Sequence, residues 1–161
     1  MAGGMVPLFY RHHPFMQSTD LPPVYTKEAD LVVRPRISSD DRRQVTDLLE
    51  DAGFVLFEAP GYRAQPGTQY FQDQADGAKR LASSYIEFLA PLRGKQKEFI
   101  HPQSGLRSQA LRYVDLLDHE PLEIDAQSVE SPGIDEPCAI RLPHPATFIL
   151  QKLLARKAGR S

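Results

Sequence analysis

Glu28 and Asp30 stand two residues apart at the head of an apolar, β-branched run, Leu31-Val32-Val33, that Pro35 closes. β-Branched side chains pack well on a pleated surface and proline cannot donate to an inner ladder, so Ala29 to Arg34 is expected to form a buried strand that stops there. Side chains alternate across a strand, which sets Glu28 and Asp30 on one face while Ala29 and Leu31 turn to the other, into the core. Two carboxylates so placed repel unless a cation lies between them, and oxygen-rich sites suit Mg²⁺. The plainer alternative is an exposed strand start with both acids hydrated. Glu87 is the third acid of interest. It lies between Ile86 and Phe88 in an otherwise apolar stretch, where an unpaired charge is costly to bury; its plainer alternative is the open face of a sheet.

Further elements follow from periodicity and turn chemistry. Ser38 or Ser39 can cap a helix with Asp40 and Asp41 in its first turn, with Val45, Leu48, Leu49 and Ala52 at helical spacing and Gly53 as its stop. Phe54 to Phe57 reads as the next strand, Thr68 to Gln72 as a short one after a turn-rich segment, and Ser84 to Leu89 as an apolar strand before Pro91 and Gly94. Residues 103–112 read as a short helix, Tyr113 to Leu117, Pro121 to Ile124 and Ala139 to Leu142 as short strands. At about residues 145–158 a helix opens with Pro145, carries an apolar stripe of Ala146, Ile149, Leu150, Leu153 and Leu154, and ends in basic residues that suit its dipole.

The 161 residues suit one domain, 1–161, of α+β class with a mixed sheet flanked by helices. With 19 basic against 21 acidic residues the net charge is −2, so any anion binding must come from local patches. This disfavours a general nucleic-acid-binding module, as does the lack of an aromatic-basic pattern. Charge is unevenly spread: Tyr113 to Ile140 holds eight acids and no Lys or Arg, and Lys152, Arg156, Lys157 and Arg160 crowd the end. One cysteine, Cys138, excludes an internal disulfide and is read as a buried spectator. No apolar run reaches the ~20 residues of a membrane span, so a cytoplasmic location without a membrane partner is expected.

Taken in order, Gly3-Gly4, TKEADL (Thr26 to Leu31), the helix up to Gly53-Phe54 and YIEFLAPLRG (Tyr85 to Gly94) resemble the DNA polymerase beta-like nucleotidyltransferase superfamily. The closing LPHPATFILQKLLARK, Leu142 to Lys157, looks like the last helix of a bacterial branch related to abortive-infection toxins. The resemblance implies a nucleotidyltransferase-type fold in which Glu28, Asp30 and Glu87 hold Mg²⁺ and act catalytically. It also implies that Gly3 and Gly4 receive the phosphates of a nucleoside triphosphate, with Lys152 as a further phosphate contact. Some features differ from the family pattern. Glu stands at the first and third acid positions, Gly-Gly replaces Gly-Ser, only Met1 and Ala2 precede the glycines, and the chain is expected to be incomplete at both ends.

The function expected is Mg²⁺-dependent transfer of a nucleoside monophosphate from an NTP to a hydroxyl or phosphate acceptor on a nucleic acid, protein or small molecule, in a toxin-antitoxin setting. The alternative is a catalytically inactive member of the fold that binds a nucleotide or a partner protein. His12, His13, Tyr62 and Arg63 are read as ordinary loop residues.

Overall fold

Apolar residues on both of its faces fit the segment Tyr85–Pro91 for the centre of a sheet rather than its rim. In the computed structural model, which describes residues 1–14, 26, 28–37, 44–57, 69–72, 84–94, 99–128 and 138–158, this segment is β4 and holds three partners. β1 (Glu28–Val32) runs parallel to it from Tyr85 to Leu89, β3 (Gln69–Gln72) antiparallel over Tyr85 to Glu87, and β6 (Leu106–Leu111) parallel over Leu89 to Pro91. β2 (Phe54–Phe57) pairs with β3 and β5 (Phe99–Gln103) with β6, both antiparallel, giving a curled, mixed six-stranded sheet in the order β2-β3-β4-β6-β5 with β1 beside β4. A second sheet joins β7 (Leu122–Asp125) to β8 (Ala139–Leu142). With its flanking helices the architecture is α+β, as expected.

One face of the large sheet is covered by α2 (Val45–Asp51). There Leu49 packs with Tyr70, Phe88 and Leu106, flanked by Leu31, Val33, Val45 and Ile86. On the other face Ala2, Leu89, Val114 and Leu117 form a second cluster with Val32 and Phe148. A third cluster gathers α1 (Val6–Tyr10) through Val6 and Tyr10 onto Ile124 and Leu142 of the small sheet. Phe148, on the helix α3 (Pro145–Ala158), touches both of these clusters. Tyr10 donates its hydroxyl to the Pro143 carbonyl at 2.7 Å and meets the Phe148 ring edge-on, so α1 and α3 are tied together; burial pushes the Tyr10 phenol up to about 12.

Several expectations are corrected. Residues 106–111 form a strand, not a helix: burial alternates along Leu106, Arg107, Ser108, Gln109 and Ala110, the period of two that pairing with β4 and β5 imposes. β5 has no counterpart among the expected elements because Pro102 sits inside it, which is tolerated at a sheet edge. Val114–Asp118 is a 3₁₀ helix rather than a strand, since Tyr113 takes a left-handed φ of 66° and turns the chain out of β6. α2 begins at Val45 behind Gln44, whose N–H donates to Asp47 Oδ2 at 3.2 Å; Ser38, Ser39, Asp40 and Asp41 lie outside the described residues, as do Tyr62, Arg63 and Arg160. Of its stripe, Leu48 and Ala52 are exposed.

α3 is turned about its axis relative to expectation. Phe148 and Gln151 face inward, and Ile149, Leu150 and Leu153 of the anticipated core stripe are 59%, 46% and 60% exposed. Cys138 is exposed, not buried.

Candidate functional site

Parallel pairing brings the three acids together. Asp30 is the direct partner of Glu87 across β1 and β4, and Glu28 is the partner of Tyr85. Directly paired residues on neighbouring strands stand about 4.8 Å apart and project from the same face, so Glu28, Asp30 and Glu87 share one surface. It is the face of Val32 and Leu89, opposite the one that α2 covers.

Each acid has a different environment. Glu28 is exposed and accepts the Tyr85 hydroxyl at 2.5 Å. Burial, then the Glu28 carboxylate, holds the Tyr85 phenol far above its usual range, so it stays a donor. Glu87 is half-buried and its Oε1 accepts Gln69 Nε2 at 2.8 Å. Burial raises the Glu87 pKa, the Gln69 hydrogen bond opposes that rise, and the nearby Glu28 charge adds to it. Asp30 is 7% exposed, and its Oδ1 is buried with no hydrogen-bond partner. Burial first, then the charges of Glu87 and Glu28, push Asp30 up to about 6, with Lys152 pulling the other way.

Gly3 lies against this same surface. The Ala2 N–H donates to the Asp30 carbonyl at 2.6 Å in an isolated antiparallel bridge, which carries the chain past β1 and into α1. Met1 and Ala2 thus occupy, in miniature, the place where the resemblance calls for a strand. At Gly3, with φ of +78°, a Cβ would run into the Asp30 carboxyl; at Gly4 it would run into the Thr26 side chain. Only glycine lets the backbone approach the acid so closely. Lys152 lies exposed on α3 with its ammonium 5.4 Å from the Phe148 ring centre, and its charge is felt at Asp30.

Glu28, Asp30, Glu87 and Gly3 therefore meet at one surface, while Gly4 stands against Thr26 and Lys152 reaches Asp30 only through its charge. Tyr85 and Gln69, the donors that hold Glu28 and Glu87, were missed. Only the strand register brings them to the acids, and no local pattern encodes it. An orphaned, buried carboxylate oxygen among three like charges is what a divalent cation would relieve, and oxygen ligands of this kind fit Mg²⁺. As the side chains stand, no set of three or more His, Cys, Asp or Glu residues among the described ones forms a group that could hold a metal ion. Glu28 and Glu87 are instead engaged by Tyr85 and Gln69.

A curled mixed sheet with flanking helices and paired acids on adjoining strands is a nucleotidyltransferase-type fold. Residues 13–161 match a family described as nucleotidyltransferase, and the chain belongs to that family. The match begins after Gly3 and Gly4, and the place of Gly3 beside Asp30 rests on the structure alone. No curated protein and no solved structure matches the chain. Nucleotidyl transfer from an NTP is the activity of the family.

Proposed function

We propose that this chain transfers a nucleoside monophosphate from an NTP to an acceptor at the surface formed by Glu28, Asp30 and Glu87, with Mg²⁺ as cofactor. The supporting observation is the pairing of Asp30 with Glu87 on one face, with Asp30 Oδ1 buried and without a donor. Glu28, Asp30 and Glu87 would hold the metal, which when bound neutralises the triphosphate and the departing pyrophosphate. Gly3 and Gly4 let the phosphates approach the backbone beside Asp30, and Lys152 offers them a positive charge.

With a hydroxyl acceptor, its oxygen attacks the α-phosphorus in line. A new O–P bond forms as the bond to the β-phosphate oxygen breaks, and pyrophosphate leaves with the electron pair. The acceptor proton passes to Glu87, whose Oε1 is fixed by Gln69. Tyr85 keeps Glu28 turned to the same surface.

The test is transfer of label from an α-labelled NTP, with Asp30→Asn as the matched variant. Metal-dependent labelling lost in the variant supports the reading; equal labelling by both proteins contradicts it. A second reading, an inactive member that binds a nucleotide or a partner protein, is favoured by one observation, the engagement of Glu28 by Tyr85 and of Glu87 by Gln69. It predicts NTP binding without turnover.

The setting we propose is a cytoplasmic toxin-antitoxin or abortive-infection system. Supporting it is the closing sequence that resembles that branch, most of which forms α3. Arrest of growth on expression, relieved by Asp30→Asn, would support this setting; unimpeded growth would oppose it.

A further inference from the structure

A cavity of about 600 Å³ opens at the C-terminal ends of β1 and β4, bounded also by the 3₁₀ helix Val114–Asp118 and by β8. It is separate from the acids, because beyond Asp30 that face of the sheet is filled by the packed cluster of Ala2, Leu89, Val114 and Leu117 with Val32. Four arginines, Arg34, Arg36, Arg93 and Arg141, and two acids, Asp115 and Asp118, line it. Arg141 is engaged within the protein, 3.4 Å from Asp118 and 3.5 Å from Glu123, and Arg93 is engaged as well. Arg34 and Arg36 are exposed and have no ion-pair partner among the described residues. With Arg93 and the pair of Arg141 and Asp118 set aside, two guanidinium charges face one carboxylate, Asp115, in a chain of net charge −2.

The backbone under Arg34 and Arg36 is held in place. The Val33 N–H donates to the Leu89 carbonyl and the Ile37 N–H to the Pro102 carbonyl, each at 2.8 Å, so the Arg34-Pro35-Arg36 segment is pinned at both ends. Between the arginines, the ring of Pro35 fixes its own φ. Side chains on a fixed backbone have less freedom to lose when they close on a ligand.

The lining also selects a chemistry. One guanidinium fork satisfies both oxygens of a carboxylate, whereas a phosphate monoester, with three terminal oxygens and a charge of about −1.5 to −2 at pH 7, can take two forks. The walls that complete the cavity, Met1, Val32, Val33, Pro35 and Pro91, are apolar and suit a body that is not itself charged. The volume falls within the ~300–1,000 Å³ typical of small-molecule sites. We infer that this cleft is a second ligand site and binds a small organic phosphate, its phosphate group on Arg34 and Arg36 and its apolar body against Val32, Pro35 and Pro91. The inference does not rest on the transfer proposed above.

The test is NMR of the isotope-labelled full chain titrated with phenyl phosphate, at an ionic strength held constant with chloride and without divalent metal. The backbone amides of Val33, Arg34 and Arg36 report from one wall, and the Met1 methyl group reports from a lining residue elsewhere in the chain. We expect saturable shifts at these positions. Binding should be about tenfold or more tighter than that of inorganic phosphate or of phenol, since each of these carries only half of the ligand. The Arg34→Ala, Arg36→Ala double variant, whose own amide spectrum reads its folding, should bind phenyl phosphate about tenfold or more weakly. Shifts that do not saturate, or that map to Gly3 and Asp30 instead of the cleft, overturn the inference. So does equal affinity for phenyl phosphate and inorganic phosphate, which leaves the apolar walls no part, or equal affinity of wild type and folded variant. The wild-type map decides the matter even where the variant does not fold. No arm contains an NTP or reads transfer, so failure here is distinct from failure of the transfer assay.

Discussion

Gly3 has no side chain because the Asp30 carboxyl fills the place a Cβ would take. The closest approach of the N-terminal segment to the sheet is thus made at the most buried of the three acids. Gly3→Ala must displace that carboxyl and adopt φ of +78° with a Cβ. The expected cost is about 1–3 kcal/mol of stability, together with loss of transfer, read as a fall in melting temperature and in α-phosphate labelling.

Asp30 lowers the stability of the metal-free protein. Its pKa rises from 3.8 to about 6 on folding, so the folded state binds the proton more tightly than the unfolded one. Stability from this group is full below about pH 4 and is lost as pH rises through 6. Asp30→Asn removes that loss, and a shift of this size corresponds to about 3 kcal/mol at pH 7. Denaturant titrations should show the variant more stable than wild type at pH 7, with the gap closing toward pH 4, although transfer is abolished.

Tyr85→Phe frees Glu28 while leaving the ring against Phe71, 5.2 Å between centroids. The fold should be retained, and kcat should fall about tenfold with KM little changed, the size expected for one lost hydrogen bond to a charged group. Gln69→Leu should act likewise through Glu87. Steady-state labelling kinetics beside a melt read both.

On α3 the outward residues should tolerate charge. Ile149→Lys with Leu153→Lys is expected to change stability by no more than about 0.5 kcal/mol, because both side chains are solvated. Phe148→Ala, by contrast, opens the junction of two clusters and should cost about 3 kcal/mol or more. Paired denaturant titrations separate the two.

The acids were legible because a strand's period of two is local: once Ala29 to Arg34 and Ser84 to Leu89 read as strands, the shared face of Glu28 and Asp30 follows. The register that sets Asp30 opposite Glu87 and Tyr85 opposite Glu28 is a long-range property, and no spacing within either segment states it. α3 shows the limit of counting apolar residues. Ile149, Leu150 and Leu153 outnumber Phe148, yet the large ring, gripped by Tyr10 and two clusters, decides which side faces in. In β6, Leu106, Ser108 and Ala110 alternate with Arg107 and Gln109, a strand signal that small buried residues made faint. The cleft arginines, from three separate stretches of chain, converge only in the fold.

If Glu28, Asp30 and Glu87 form one cation-dependent nucleotide site, calorimetric titration of a non-hydrolysable NTP into wild type and Asp30→Asn, each with Mg²⁺ and with a chelator, will show it. Binding by the wild type in Mg²⁺ alone, absent with chelator and absent in the folded variant, is the predicted result. Nucleotide binding of equal strength in all four titrations would contradict it.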